Sequence, residues 1–258
     1  MRAPPRSPAA KNFRPRPDAV LPVIRLLVAL LATGLAALSA AHDLITPASV
    51  EAYLARADAD LATVRGKGAP RVRAESYHDL GRMLDEIREL LNRDVASHGR
   101  VQGLPTLLLL KELDKRGLAL VPDRESGRFP APVAQYQEAL RLDPDVRGGD
   151  AAFRLLVGRF YDSFEADPLR PRLTVGQVED QLRLAERLAT RRPAHPEQEE
   201  IEFVMAVHHA QMVGLAADRT AAAEHARRVR EAVSAFGRRY PDSLRNAALS
   251  VLTAGTRP

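Results

Sequence analysis

The sequence contains no cysteine and no tryptophan, and only 5% of its 258 residues are aromatic. Without cysteine there is no disulfide framework, no thiolate nucleophile, no cysteine-ligated zinc or iron–sulfur site and no lipid-modified cysteine at an export junction. Stability has to come from packing. Strand signatures are also missing, since no run rich in Val, Ile and Thr alternates apolar with polar residues. Absent too are H-E-x-x-H, G-x-S-x-G, a phosphate-binding loop and a dinucleotide fingerprint. Uncharged runs are scarce after residue 41.

The charge that is present sits unevenly. The chain carries a formal +5 with a pI near 9.9, but six of its 38 bases and one of its 33 acids lie in residues 1–41, leaving 32 of each sign beyond. A neutral remainder lacks the electrostatic term that dominates affinity for phosphate backbones, so no nucleic-acid partner is expected. Residues 1–41 have the layout of a signal peptide, with a basic n-region (1–25) ending at Arg25 and an h-region (26–41) in which Leu26 to Ala41 carry no charge. Ser39 and Ala41 suit the −3 and −1 positions of a signal-peptidase site, which makes His42 the first residue of a periplasmic or secreted protein. Sixteen residues fall short of the ~20 that a spanning helix needs. No stable membrane span is therefore expected after cleavage. The alternative is a protein anchored by uncleaved residues 21–41. No adjacent arginine pair supports a twin-arginine route.

What remains is helical in rhythm. Thr46 with Pro47 predicts a helix start, and Val50, Tyr53, Leu54, Ala57, Leu61 and Val64 follow on one side as far as Gly66. A second helix from about residue 73 carries Tyr77, Leu80, Leu84, Ile87 and Leu91 and ends near His98-Gly99; a third, over 104–116, stops at Gly117. Residues 42–117 thus read as an N-terminal helical region. The proline-rich stretch 118–132 reads as a loop and subdomain boundary. Beyond it, a helix over Val133–Leu142 ends at Asp143-Pro144, and Asp150 is placed to cap the next, with Phe153, Leu156, Phe160 and Phe164 in its stripe. Thr174 with Gln177 has capping-box spacing. Pro196 with Glu197, Glu199 and Glu200 opens a helix that ends near Leu215, and Asp218 opens another that runs to Tyr240.

Three of these helices close on similar text, with Pro144, Pro193 and Pro241 separated by 49 and 48 residues and two helices in each interval. A period of this kind implies stacked helix pairs. Over about residues 131–258 the endings resemble the close of the second helix of a tetratricopeptide repeat, Ala139 matching its small residue and Pro144 its terminating proline. The interval exceeds the usual 34 residues of that repeat. The resemblance implies an all-α fold of stacked antiparallel hairpins, TPR-like repeats over 133–258, and a concave surface that binds a protein partner. Tyr161, Glu202 and Gln211 are candidates for that surface.

Candidate chemistry is thin. Met205, His208, His209 and Met212 fall on one arc of a helix, and thioethers with imidazoles suggest copper. That helix is apolar nearly all round, with Ile201, Phe203, Val204, Val207 and Val213, so the cluster reads first as core filling. Glu75 and His78 have the Glu-x-x-His spacing of di-iron bundles, but no second copy exists. Asp94 with His98, and Glu224 with His225, read as solvated helix surface. No catalytic, cofactor-binding or metal residue is assigned and no cofactor is implied. The function expected is a non-catalytic helical-repeat scaffold for protein–protein interaction in the cell envelope. The alternatives are an envelope hydrolase or lytic enzyme, or a helical metal- or ligand-binding protein.

Overall fold

The computed structural model of the protein describes residues 45–124, 126–163 and 173–255. The leader, its expected cleavage site at Ala41 and the stripe residue Phe164 lie outside the described residues. Among the described residues there are nine α-helices and no strand: α1 (Pro47–Arg65), α2 (Pro70–His98), α3 (Leu104–Lys115), α4 (Val133–Leu142), α5 (Asp150–Ser163), α6 (Val175–Arg191), α7 (Gln198–Leu215), α8 (Arg219–Arg239) and α9 (Arg245–Gly255). None of them is long and apolar enough to cross a membrane. The all-α class expected from periodicity is what the chain adopts.

Local chemistry accounts for most boundaries. Thr46 Oγ1 accepts from the Ser49 amide at 3.1 Å while Ser49 Oγ receives the Thr46 amide, a reciprocal cap at the start of α1. Thr174 and Gln177 do the same for α6, and Asp218 accepts from the Ala221 amide for α8. Gly99 at φ 73° closes α2, and Gly117 at φ 78° lies just past α3, left-handed positions where a side chain costs energy. Pro144, Pro193 and Pro241 do equivalent work. The residues before them, Asp143, Arg192 and Tyr240, leave helical geometry with φ of −145°, −133° and −128°, as the bulk of a following proline ring requires. Each still donates its amide to the carbonyl four residues back, on Ala139, Leu188 and Phe236. All three of those residues are buried. α9 has no counterpart in the sequence reading.

Packing follows chain order. α2 is the spine of the N-terminal half, with α1 along one side and α4 along the other, while α3 packs on α1. From α4 onward each helix lies against the next, and α7 also contacts α5 and α9. The segment 118–132 forms a tight turn in which the Asp123 amide donates to the Arg128 carbonyl and the Gly127 amide to the Asp123 carbonyl. It returns the chain along α2, where the Asn92 carboxamide bonds both the amide and the carbonyl of Phe129. The apolar core is divided accordingly: one cluster joins α1, α2 and α3 around Met83, Ile87 and Leu109, a small one joins α2, α4 and α5 around Tyr136, and the largest runs from α5 to α9 around Phe160, Val204 and Phe236.

Candidate interaction cleft

Gly81 sits in the middle of α2, where a glycine weakens a helix by ~1 kcal/mol relative to alanine. Its place is explained by Tyr136 of α4, whose ring packs on the bare Cα so closely that a Cβ there would lie 2.6 Å from Cε1. The buried Tyr136 hydroxyl then donates to Asp85 Oδ2 at 2.6 Å. Burial, and after it the negative charge of Asp85, pushes the Tyr136 phenol far above its ordinary range, so it remains a donor. Asp85 also faces Arg88 at 3.2 Å and Arg154 of α5 at 3.9 Å.

Arg154 connects this buried group to a second one. Its Nε donates to Asp150 Oδ2 at 2.7 Å, and the same oxygen receives His78 Nε2 at 2.6 Å. The other ring nitrogen of His78 lies 3.1 Å from Asp79 Oδ1. Burial alone would raise the Asp150 carboxyl, but the hydrogen bonds from His78 and Arg154 outweigh it and hold the group down at about 2. Asp150 is therefore not the cap expected from sequence. It is the first residue of α5, and its carboxylate clamps α5 to α2. Nor does Glu75 join His78; it pairs with Arg71 at 3.5 Å.

Above this floor lies an open cleft of about 520 Å³ between α1, α2 and the turn that precedes α5. Arg56 and Asp60 line it from α1, Arg82 and Glu86 from α2. Arg147 closes the far side from a 3₁₀ turn, Val146–Gly149, reaching Asp79 at 3.0 Å. With φ of 49°, Arg147 is the one non-glycine residue of positive φ among the described residues, and Gly148 and Gly149 continue the left-handed bend. Such a backbone costs on the order of 1 kcal/mol. It delivers a guanidinium to the cleft rim. Arg56, Arg82 and Arg147 are each about half exposed, at 48%, 45% and 47%. Asp60 goes the opposite way from Asp150, since burial and then neighbouring Asp79 raise its carboxyl. No protein-family model, curated protein or solved structure matches the chain. The cleft has to be read on its own geometry.

The other residues singled out by sequence fall elsewhere. His208 and His209 are adjacent but serve different neighbours: His208 lies 2.7 Å from Gln211 and 3.1 Å from Gln181 of α6, whereas His209 Nδ1 lies 3.1 Å from His225 Nδ1 of α8. Met212 is buried, and Met205 packs against the large core. Burial first, then the charge of His225 and Arg228, lowers His209 to about 4, and burial lowers His208 to about 4. Among the described residues no group of three or more His, Asp or Glu side chains is placed to hold a metal ion. The surface pair expected of Glu224 and His225 divides: Glu224 is exposed and bonds Arg227 and Arg228, whereas His225 turns to His209. Asp94 bonds His98 at 2.9 Å and takes the Gln102 amide at 2.5 Å, which ties the end of α2 to the following turn.

Of the three surface candidates, Gln211 is fully buried and cannot face a partner. Tyr161 bonds Glu200 at 2.7 Å, and Glu202 is held by Gln198 and Arg239. Sequence reasoning missed Asp79, Asp85, Arg147 and Arg154. Two signals were available: an isolated glycine inside a helical pattern, which marks close backbone approach, and the Gly148-Gly149 pair, which marks a forced turn.

Proposed function

We propose that this protein is a non-catalytic, exported helical-repeat scaffold with TPR-like stacked hairpins, and that its cleft binds a protein partner in the cell envelope. Support for the repeat comes from α4, α6 and α8, which close with the same backbone device and bury the residue four positions before the cap. Export rests on the charge and length pattern of residues 1–41. The observation that carries the scaffold reading is the division of labour at the cleft. The groups with chemistry are engaged with one another: Tyr136 and Asp85 are buried under the cleft, and His78 and the partly exposed Asp150 form its floor as a hydrogen-bonded pair. What faces outward is a half-exposed rim of arginines and acids in an open groove. Mixed charge in that setting orients and steers a partner.

The test is a photo-crosslinking amino acid placed at Arg82 in the full chain, expressed in its native envelope. A discrete adduct is expected that disappears in an Arg147→Glu variant of unchanged helical circular dichroism. Adducts insensitive to that reversal, or none above background, would remove the scaffold reading.

A further inference from the structure

The cleft is lined by four acids and three half-exposed arginines, and hydrogen bonds divide them unequally. Three of the acids are each bonded by an arginine of this chain: Glu86 by Arg56 at 3.0 Å, Asp79 by Arg147 at 3.0 Å and Asp150 by Arg154 at 2.7 Å. The fourth, Asp60, bonds Ser76, and burial and the charge of Asp79 favour its neutral form. Arg82 stands apart. Its one ion-pair contact among the described residues is Asp150 Oδ2 at 4.0 Å, too far for a hydrogen bond, and Arg154 and His78 already meet that oxygen.

Arg56 and Arg147 reach their acids through one nitrogen each, Nη1 and Nη2. A guanidinium carries five N–H donors in a planar fork, so the cleft has donors left over where its carboxylates are engaged. What complements it is an acceptor with negative charge, and a carboxylate matches the fork. The backbone at Arg147 points the same way. It holds φ 49° ahead of Gly148 and Gly149, where a third glycine would make the bend without strain. The bond from Arg147 to Asp79 joins two half-exposed groups and adds little to stability. Strain without a stabilising contact accords with a side chain placed for a ligand.

We infer that the cleft recognises an acidic segment of its protein partner, one carboxylate of which is held by Arg82 on α2 and Arg147 on the turn before α5. The inference rests on the reading of the cleft as a protein-binding site and adds the chemistry that the site selects. A basic segment, by contrast, would have to break one of the internal pairs or charge Asp60.

The chain has no tryptophan, so a tryptophan-tagged peptide reports its own binding to the full chain by fluorescence anisotropy. At low ionic strength a tagged hexaglutamate amide is expected to bind, and a tagged hexalysine amide is not. Arg82→Gln and Arg147→Gln are each expected to weaken hexaglutamate severalfold, a loss that the covalent trap at position 82 tolerates, and the double variant about tenfold or more. Arg230→Gln, at an exposed arginine of α8, is the control and leaves binding unchanged. Arg82 makes no hydrogen bond among the described residues, so its variant also keeps the thermal melt of the parent chain. A neutral tagged peptide with a free carboxyl end that binds as well, with the same dependence on Arg82 and Arg147, keeps the carboxylate and moves it from side chain to chain terminus. Absence of binding, equal binding of hexalysine, or indifference to both substitutions overturns the inference. The crosslink at position 82 then separates the two readings: an adduct that still requires Arg147 leaves a protein site of other chemistry, and its loss removes the scaffold reading as well.

Discussion

At the residue scale the informative groups are buried imidazoles. His208 is fully buried and His209 nearly so, and each titrates near 4 in the fold against ~6.5 in the unfolded chain. A neutral His208 ring donates from one nitrogen and accepts at the other, which two carboxamides can satisfy. Between these values the unfolded state holds more protons than the folded one, so stability falls as pH drops from 6.5 toward 4. Each ring contributes on the order of 3 kcal/mol to that loss across the whole window. Urea denaturation followed from pH 7.5 to 4 is expected to show this acid limb, shallower in a His209→Gln variant; a flat profile would contradict the burial of both rings. Asp150 acts in a lower window, since a carboxyl held at about 2 gives stability that is complete above ~3.8 and lost below it.

At the element scale the glycines separate packing from propensity. In Gly81→Ala the helix gains ~1 kcal/mol of propensity, but the new Cβ meets the Tyr136 ring at 2.6 Å, and that ring is held by its bond to Asp85. Overpacking of this kind costs ~1–3 kcal/mol, so a net loss of stability is expected. Gly176→Ala, in the first turn of α6 with open space around its Cβ, is expected to raise stability by up to ~1 kcal/mol. Thermal melts of the two variants that moved in the same direction would refute the packing of α4 on α2. Most helix boundaries were legible in the sequence because caps and breakers act within four residues: Thr46, Thr174, Asp218, Gly99 and Gly117 all do what their positions suggest. α9 was not legible. Its first turn has no acid and its sequence no capping box, and what orders it is tertiary.

At the scale of the whole molecule, α9 is held by groups far from it in sequence. Leu249 and Leu252 enter the large core beside Phe236 and Val204. Arg245 bonds Glu199 at 2.9 Å and also engages Glu200, whose side chain is only 9% exposed. Removing one partner of a buried pair leaves an uncompensated charge and costs ~3–5 kcal/mol. Arg245→Ala is therefore expected to lower the melting temperature of the whole domain in a single transition, and Arg245→Ala with Glu200→Gln to recover part of it. A second, separate transition confined to the C-terminal helices would show that α8 and α9 fold apart from the rest.

The helical class, the ends of most helices and the proline stops after α4, α6 and α8 could be read from the sequence, because periodicity, capping and the steric demands of proline are local. The sequence also flagged His78 and Asp150, but as half of a metal motif and as a cap. Only the tertiary structure decided that these two meet across 72 residues, that Tyr136 reaches Asp85, and that His209 turns to His225. Pairings of that kind depend on which helix faces lie against each other. Helix orientation is set by the whole apolar core, and no window of neighbouring residues contains it.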